Sequence, residues 1–402
     1  MRVLRFSRYL RDYGWEPIVV CVDGGAKHEP RDADLLREVP AGIHIERVPC
    51  FEPDNFSDSW DIPREKVVRN LFKTFDKALF PDDRALWVRP AVARIRSLVK
   101  KFRPAVLWAT AQPWSTLVVG MKAKEATGLP LVLDLRDDWT TSNADFRKVK
   151  RLEKERALEQ RVLSAADAVV SVTPQIVQAL VDRRPSHLKP EQFFLLPNGF
   201  DPAHFPETPA ELSLEDRFEL LHAGGLYDKR PVTPLLKILG CWLERFPERR
   251  AQIKVTLAGR ATEAVRLEIA ESGFSDFVDT PGFLSHGEVR RRMRQSGVNL
   301  LMIEQVSSAP WLFTGKAFEY LGARRPILML GPNPSPLGEL IAKSDYGTVL
   351  EHSQIEEAAE VLEELFQNRR VAVTSNESHV KLYDAREQTG ELAKILEGVV
   401  QG

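Results

Sequence analysis

The stretch "TGKAFEYLGARRPILML", residues 314–330, decides the fold, because it reads as a short helix leading directly into a short strand. Lys316 and Glu319 are three residues apart, a spacing that places both side chains on one face of a helix. Pro326 cannot continue the helix and precedes the apolar run 327–330, which is typical of a buried strand. A charged pair at a helix start indicates a binding site, since the backbone N–H groups there attract anions. An exposed ion pair of little energetic value is the alternative interpretation.

The length, charge and cysteine content of the chain limit the classes of protein to which it can belong. The 402 residues are more than one ordinary core needs, which favours two domains. Residues 1–200 carry 33 Lys and Arg against 27 Asp and Glu, and the remainder carries 23 against 30, so the two halves differ in charge. No apolar run reaches the roughly 18 residues of a membrane helix. Three widely spaced cysteines outside any CxxC pair predict reduced thiols in a cytoplasmic protein.

Short runs rich in Val, Ile and Leu alternate with helical patterns along nearly the whole chain. The runs that we predict to be strands are 18–22, 43–48, 105–110, 131–136, 168–173, 193–198, 218–224, 254–259, 277–283, 298–303, 326–330 and 347–350. Continuous apolar strands that alternate with helices indicate parallel sheets covered on both faces. The Pro-rich segment 198–213 interrupts the series and predicts a domain boundary. The predicted fold class is α/β, with two doubly wound, Rossmann-like domains facing each other across a cleft.

A glycine turn in the second half is a candidate phosphate site. In "HAGGLYDKR", residues 222–230, Gly224 and Gly225 follow a predicted strand and permit close approach of a backbone to a diphosphate. Lys229 and Arg230 are cations that can neutralise it. An ordinary tight turn remains the alternative. The histidines in this half are interpreted as structural hydrogen-bonding residues, because no Ser-His-Asp or Cys-His pattern accompanies them.

A charged cluster ends a predicted strand of the first half, in "LVLDLRDDW" at residues 131–139. Asp134, Asp137 and Asp138 suggest metal ligation, but a hard cation needs more convergent oxygens than this spacing provides, so we predict no metal. The Arg136 guanidinium can contact a donor phosphate or an acidic acceptor, and Asp137 can bind an acceptor hydroxyl. A salt-bridge cluster at the strand end is the alternative.

Several motifs together resemble the retaining glycosyltransferases of the GT-B fold, of the family 4 type that builds polysaccharides and other glycans. In the second half the similar segments are "LPNGFDPAHF" (196–205), "LLHAGGLYDKRP" (220–231), "PGFLSHGEVRRRMRQSGVNLLMI" (281–303) and "GKAFEYLGARRPIL" (315–328). In the first half they are "WATAQPWSTLVVG" (108–120) and the "LVLDLRDDW" segment that follows it. The resemblance covers most of the chain in the right order.

The resemblance implies roles for individual residues of a nucleotide-sugar donor site. Glu319 matches the second Glu of the family's donor motif and is expected to hold the ribose hydroxyls. Phe283 and Leu284 match the segment whose backbone contacts the nucleotide base. The glycine turn, with Lys229 and Arg230, is expected to contact the phosphates. Trp311 stands where the family has its first Glu, a change also typical of members with the GK-x-FEYL form.

The resemblance also implies the domain plan and the reaction. Residues 1–200 are expected to bind the acceptor, 201–375 to bind the nucleotide-sugar, and 376–402 to form a helix that returns to the first domain. Arg136, Asp137 and Lys316 are the implied catalytic residues. The implied enzyme transfers a hexose to a hydroxyl of a glycan or lipid-linked saccharide, with retention, without metal or other cofactor and without nucleic acid. A nucleotide-sugar epimerase of the same fold and a non-catalytic glycan-binding relative are the alternatives.

Two segments of the first half raise further expectations. The chain opens on a helical pattern at residues 2–14, whereas a doubly wound domain ordinarily begins with a strand and a Gly-rich loop. We therefore expect such a strand and loop upstream of Met1 in the full gene product. The segment "REKVVRNLFKTFDKALF", 64–80, has an apolar face opposite Lys and Arg, a pattern that suits peripheral contact with an anionic membrane. A solvated helix with its apolar face in the core is the alternative.

Overall fold

The computed structural model describes residues 1–23, 36–50, 79–141, 149–206, 217–227, 232–304, 313–369 and 375–402. The chain divides into two compact units. The C-terminal unit comprises Asn198–Gln388 together with Met1–Arg5 and a short segment that ends at Glu38. The N-terminal unit comprises Val39–Pro197, Thr389–Gly402 and a segment that begins at Phe6.

The N-terminal unit contains two parallel sheets. Its helices and strands, in chain order, are α1 (Arg2–Tyr9), β1 (Ile18–Asp23), β2 (His44–Pro49), α2 (Val88–Phe102), β3 (Leu107–Ala111), α3 (Ser115–Thr127), β4 (Leu131–Leu135), α4 (Val149–Ser164), β5 (Ala168–Ser171), α5 (Pro174–Asp182) and β6 (Phe193–Leu195). Helix α1 is shared, since Met1–Arg5 is grouped with the other unit. Strands β1 and β2 pair with each other, and β3, β4, β5 and β6 form a four-stranded sheet in that order. From β3 onward, each strand is followed by a helix and then by the neighbouring parallel strand of the same sheet.

The C-terminal unit is built on one six-stranded parallel sheet. Its elements, in chain order, are β7 (Phe218–Ala223), α6 (Thr233–Arg245), β8 (Ile253–Ala258), α7 (Glu263–Glu271), β9 (Val278–Gly282), α8 (His286–Gln295), β10 (Val298–Met302), α9 (Gly315–Ala323), β11 (Ile327–Leu330), α10 (Pro336–Ala342), β12 (Gly347–Leu350), α11 (Ile355–Gln367) and α12 (Glu377–Lys381). Helix α13 (Ala385–Gln401) follows and lies mostly in the N-terminal unit. The strand order is β12-β11-β10-β7-β8-β9, so the order reverses between β7 and β10, where a doubly wound sheet opens its crevice.

Both faces of this sheet are buried, as its apolar strands require. Leu220 and Leu300 point into the cluster that also holds Trp242, whereas their neighbours Leu221 and Leu301 belong to the cluster on the other face. Alternation of side chains along a strand explains why residues one apart enter different cores. Helices therefore cover both faces of the sheet.

The core of the N-terminal unit joins segments from the start, middle and end of the chain. Phe6 of α1 and Val132 of β4 lie in one buried cluster with Leu392 and Leu396 of α13. The opening helix predicted from the sequence is thus α1, which packs on the sheet through Phe6, and Leu10 directly after it belongs to the same cluster. None of the helices in the described part of the chain combines the length and apolar composition that crossing a membrane requires.

The α/β fold class and the parallel arrangement predicted from the sequence are confirmed. Each of the twelve predicted runs contains a strand, and every pairing between these strands is parallel. The helix of the "TGKAFEYL" stretch ends where expected, before Pro326. Arg324 closes it in the left-handed conformation at φ 50°, and its guanidinium is held by Glu377 at 2.8 Å.

Candidate active site

Two glycine turns lie against each other at the carboxyl edge of the C-terminal sheet. The Gly224 N–H donates to the Ala258 carbonyl at 2.7 Å, which carries the pairing of β7 and β8 past their ends. Gly259 has φ 139°, and a Cβ there would lie 2.3 Å from the Gly224 carbonyl oxygen. Only glycine fits such an approach. Sequence reasoning missed Gly259, whose only signal is a glycine at the end of the predicted strand 254–259.

His222 occupies the space that Gly224 leaves open. Its imidazole is buried beneath the turn, and Nδ1 lies 3.0 Å from the Leu300 carbonyl oxygen of β10. A Cβ on Gly224 would lie 2.7 Å from Nε2 of this ring. The ring thus links β7 to β10 and supports the turn from below, as a structural hydrogen-bonding residue does.

Lys316 reaches the same glycine turn from the start of α9. Its ammonium nitrogen lies 3.5 Å from the position that a Gly224 Cβ would occupy. Thr314 precedes the helix without a side-chain hydrogen bond to its first N–H groups. A backbone turn, a helix start and a full positive charge therefore meet at one point, an arrangement that favours an anionic group.

Tyr320 fixes α9 against the two central strands. Its hydroxyl accepts from the Ala223 N–H at 2.9 Å and donates to the Leu300 carbonyl at 3.3 Å. The side chain is fully buried, and this burial raises the pKa of Tyr320 well above its usual range. The phenol therefore stays neutral and holds the first turn of α9, with Lys316 and Glu319, over the ends of β7 and β10.

Glu319 pairs with an arginine from the beginning of the chain. The Arg5 guanidinium lies 2.9 Å from Glu319 Oε1, and the two side chains are only 9% and 14% exposed. Arg5 also donates to the Gly199 carbonyl. Burial lowers the pKa of Arg5, while the Glu319 and Asp201 carboxylates raise it. Arg5 was not among the residues singled out from the sequence, because 314 positions separate it from Glu319.

The remaining predicted donor residues divide between described and undescribed parts of the chain. Phe283 follows Gly282, which has φ 78°, and its ring is 67% exposed at the end of β9. Leu284 packs partly against the core beneath α9. Lys229, Arg230 and Trp311 lie outside the described residues.

In the N-terminal unit, Arg136 and Asp137 lie together at the carboxyl edge of β3 and β4. The Arg136 guanidinium donates to the backbone carbonyls of Ala111 and of Gln112, the latter at 3.0 Å. The Gln112 side-chain amide in turn donates to Asp137 at 3.2 Å. Partial burial raises the pKa of Asp137, an effect that Arg136 and the Gln112 amide oppose. Arg136 therefore holds the turn after β3, and Asp137 presents its carboxylate beside it.

The three aspartates of "DLRDDW" have separate partners. Asp134 accepts from the Thr110 hydroxyl at 2.8 Å, whereas Asp138 is bound by Arg183, which also pairs with Glu159 at 3.0 Å. Among the described residues, no group of three or more His, Cys, Asp or Glu side chains is arranged to hold a metal ion.

Comparisons with known proteins agree with this architecture. The glycosyl transferase 4-like domain family matches residues 1–199. No curated protein sequence matches the chain. Anabaena HepE, solved in complex with UDP, is similar with a TM-score of 0.66 and 16% identity, over 99% of this chain and 95% of HepE.

Two further solved structures share the fold over nearly their whole lengths. Sucrose-phosphate synthase from Thermosynechococcus elongatus matches with a TM-score of 0.62 and 15% identity, over 98% of this chain and 92% of that enzyme. A glycosyltransferase from Rickettsia africae matches with a TM-score of 0.63 and 12% identity, over 100% and 94%. Residues 1–199 match the glycosyl transferase 4-like domain, which together with the solved structures indicates a glycosyltransferase, and the fold of the chain is GT-B with two Rossmann-like domains.

Proposed function

We propose that the enzyme transfers a hexose from a nucleotide-sugar to a hydroxyl of a glycan or lipid-linked saccharide, with retention of anomeric configuration. The proposal rests on the closeness of Lys316 to the Gly224 turn. Its ammonium nitrogen lies 3.5 Å from the point that a Cβ on Gly224 would occupy. A diphosphate at this point meets the backbone of Gly224 and Gly225, the start of α9 and a fixed cation. Lys229 and Arg230, which follow Gly225 in the sequence, are proposed as further phosphate contacts.

Glu319 is proposed to hold the ribose of the donor. The Arg5 guanidinium donates to Glu319 Oε1, and among the described residues no group donates a hydrogen bond to Glu319 Oε2. One carboxylate oxygen thus orients the side chain, and the other can accept from a ribose hydroxyl. Phe283 and Leu284, after the end of β9, are proposed to meet the base through their backbone.

In the proposed mechanism the departing diphosphate carries the charge that the site stabilises. The N–H groups at the start of α9 and the Lys316 ammonium are proposed to stabilise this charge as the bond to the sugar breaks, because groups held in place by the fold need little reorganisation. Asp137 is proposed to bind the acceptor hydroxyl. Arg136 is proposed to position the turn that carries Gln112, because its guanidinium donates to two backbone carbonyls.

A thermal-shift screen against UDP-, GDP- and ADP-sugars tests the donor class. Since UDP is bound in the HepE structure, we expect UDP-sugars to give the largest shift. A ligand at 100 times its dissociation constant stabilises the folded state by about 2.7 kcal/mol. The nucleotide-sugar that binds is then incubated with glycan acceptors. Absence of any shift refutes the proposed donor site. A shift without transfer indicates the non-catalytic alternative, and a change of sugar configuration indicates the epimerase.

The reaction is proposed to need no divalent metal, because the candidate phosphate site already contains protein cations and a helix start. Transfer is expected to proceed at an unchanged rate after dialysis against EDTA. Loss of transfer in EDTA and recovery with magnesium or manganese would contradict this. Asp137 would then be the first residue to substitute.

The segment 64–80 is proposed to dock the enzyme at an anionic membrane, and residues 64–78 of it lie outside the described residues. Each Lys or Arg near such a surface contributes about 1 kcal/mol. In low salt the protein is expected to float with vesicles that contain phosphatidylserine and to remain in the pellet fraction with neutral vesicles. Equal recovery with both vesicle types would assign the segment to a solvated helix instead.

A further inference from the structure

Two tryptophans stack at the carboxyl edge of the N-terminal unit, beside Asp137. The rings of Trp114 and Trp139 are parallel within 2°, with centroids 4.8 Å apart. Trp139 is completely buried, whereas Trp114 is partly exposed. Since the inner ring has no exposed surface, solvent reaches the stack only through Trp114.

This pair differs from the tryptophans that serve the core. Trp87 and Trp242 are buried, and each donates its indole N–H to a fixed acceptor, the Val48 carbonyl at 3.1 Å and the Glu363 carboxylate at 2.8 Å. A core tryptophan gains its stability by removing the whole ring from water. Trp114 is only partly buried, and it lies at the sheet edge where ligands of parallel sheets bind.

The surroundings hold Trp114 in place. The residue after it, Ser115, begins α3, and its N–H and hydroxyl both donate to Asp82, at 2.9 and 2.5 Å. On the other side, Asp138 and Thr140 flank Trp139 and are bound by Arg183 and by Glu159 respectively. The stack is therefore fixed before any ligand arrives, which lowers the entropy cost of binding.

Two hydrogen-bonding residues lie close in sequence to the tryptophan pair. Gln112 precedes Trp114 by two residues, and Asp137 precedes Trp139 by two, so each lies within about 7 Å of its tryptophan along the backbone. Both side chains are exposed, and the Gln112 amide donates to the Asp137 carboxylate at 3.2 Å. Together they offer donor and acceptor atoms at the same edge of the sheet as Trp114.

We propose that Trp114, Gln112 and Asp137 form a saccharide subsite for the sugar ring of the acceptor. A pyranose has an apolar C–H face and a rim of hydroxyl groups. The face stacks on Trp114, while the rim hydroxyls exchange hydrogen bonds with the Gln112 amide and the Asp137 carboxylate. This inference rests on the proposed function, because it specifies how the acceptor of the proposed transfer is recognised.

The test measures binding of the methyl pyranosides of glucose, galactose, mannose, N-acetylglucosamine and rhamnose by saturation-transfer NMR at millimolar concentration. At least one is expected to bind the wild-type protein, with saturation strongest at the C–H protons of one ring face. Trp114→Leu is expected to bind it roughly tenfold more weakly, the change that about 1.4 kcal/mol produces. Trp15→Phe, a substitution of a partly buried tryptophan in the same unit, is the matched control and should bind as the wild type does.

Gln112→Ala keeps the test independent of the packing of Trp114, because this side chain is exposed. It is expected to weaken saccharide binding while leaving the melting temperature unchanged. The proposal is overturned if no pyranoside binds, or if both variants bind like the wild type. The proposal is also overturned if an alkyl phosphate binds at Trp114 and no pyranoside does, since Trp114 then binds a lipid headgroup and not a sugar ring.

A thermal shift with UDP on the same wild-type sample separates this failure from failure of the proposed function. A UDP shift without pyranoside binding rejects the subsite and retains the donor site. Pyranoside binding that Trp114→Leu abolishes, in a sample that no nucleotide-sugar stabilises, retains the subsite and rejects the proposed transfer.

Discussion

Lys316→Ala is expected to weaken binding of the nucleotide-sugar by roughly 10- to 150-fold. In the proposed donor site the lysine supplies a charge-assisted hydrogen bond to the diphosphate, and a bond of this kind contributes about 1.5–3 kcal/mol. The substitution should leave little empty space in the core, because the Lys316 side chain is only partly buried. The folded state should therefore keep its stability while donor affinity falls.

Isothermal titration with the nucleotide and with the nucleotide-sugar measures this effect. Lys237→Ala, which removes an exposed lysine of α6 from the same unit, is the matched control and should bind like the wild type. Lys316→Arg keeps the charge and should recover part of the affinity. Equal affinities for wild type and Lys316→Ala would reduce Lys316 to an ordinary surface cation and remove the main support of the proposed donor site.

Glu319→Ala is expected to lower the free energy of unfolding by about 3–5 kcal/mol, since breaking a buried ion pair from one side leaves an uncompensated charge. The charge left behind is that of Arg5, whose side chain is 9% exposed and whose pKa burial already lowers. Loss of donor affinity in this variant therefore has two causes, a missing ribose contact and a less stable unit. In Glu319→Gln the amide oxygen can still accept from Arg5 but does not neutralise its charge, so this variant should lose part of the stability and less than Glu319→Ala loses.

Urea unfolding of the C-terminal unit, followed by tryptophan fluorescence, checks this expectation. Glu271→Ala, at the exposed end of α7, is the control and should change stability little. The double variant Arg5→Leu and Glu319→Leu should recover most of the stability, because no buried charge remains. An unchanged unfolding midpoint in Glu319→Ala would mean that the ion pair with Arg5 contributes nothing to this fold.

The strands and the site elements were predictable because their signals are local. A parallel strand buried on both faces must be apolar at successive positions, so runs such as 298–303 and 326–330 predicted β10 and β11. The turn at Gly224 follows β7 directly, and α9, which carries Lys316 in its first turn, comes between β10 and β11 in the chain. Since β7 and β10 are neighbours in the sheet, their carboxyl ends bring these two segments together.

The partners of the site residues were decided by tertiary structure. Spacing along α9 suggested that Lys316 and Glu319 act as a pair, but Glu319 is bound to Arg5, 314 positions away. The same holds for Trp114 and Trp139, which only the pairing of β3 with β4 brings into contact. The need for glycine at position 259 likewise follows only from the tertiary structure, which places the Gly224 carbonyl oxygen where a Cβ would lie.

By itself the amino-acid sequence determined the α/β class, the alternation of strands and helices and the motifs at the carboxyl ends of the strands. These features depend on the apolar or polar character of residues within a few positions of one another, which is fixed before the chain folds. Only the tertiary structure decided which carboxylate each arginine binds and which aromatic ring stays in contact with water. Such choices depend on distances between segments far apart in sequence, and packing of the whole unit sets them.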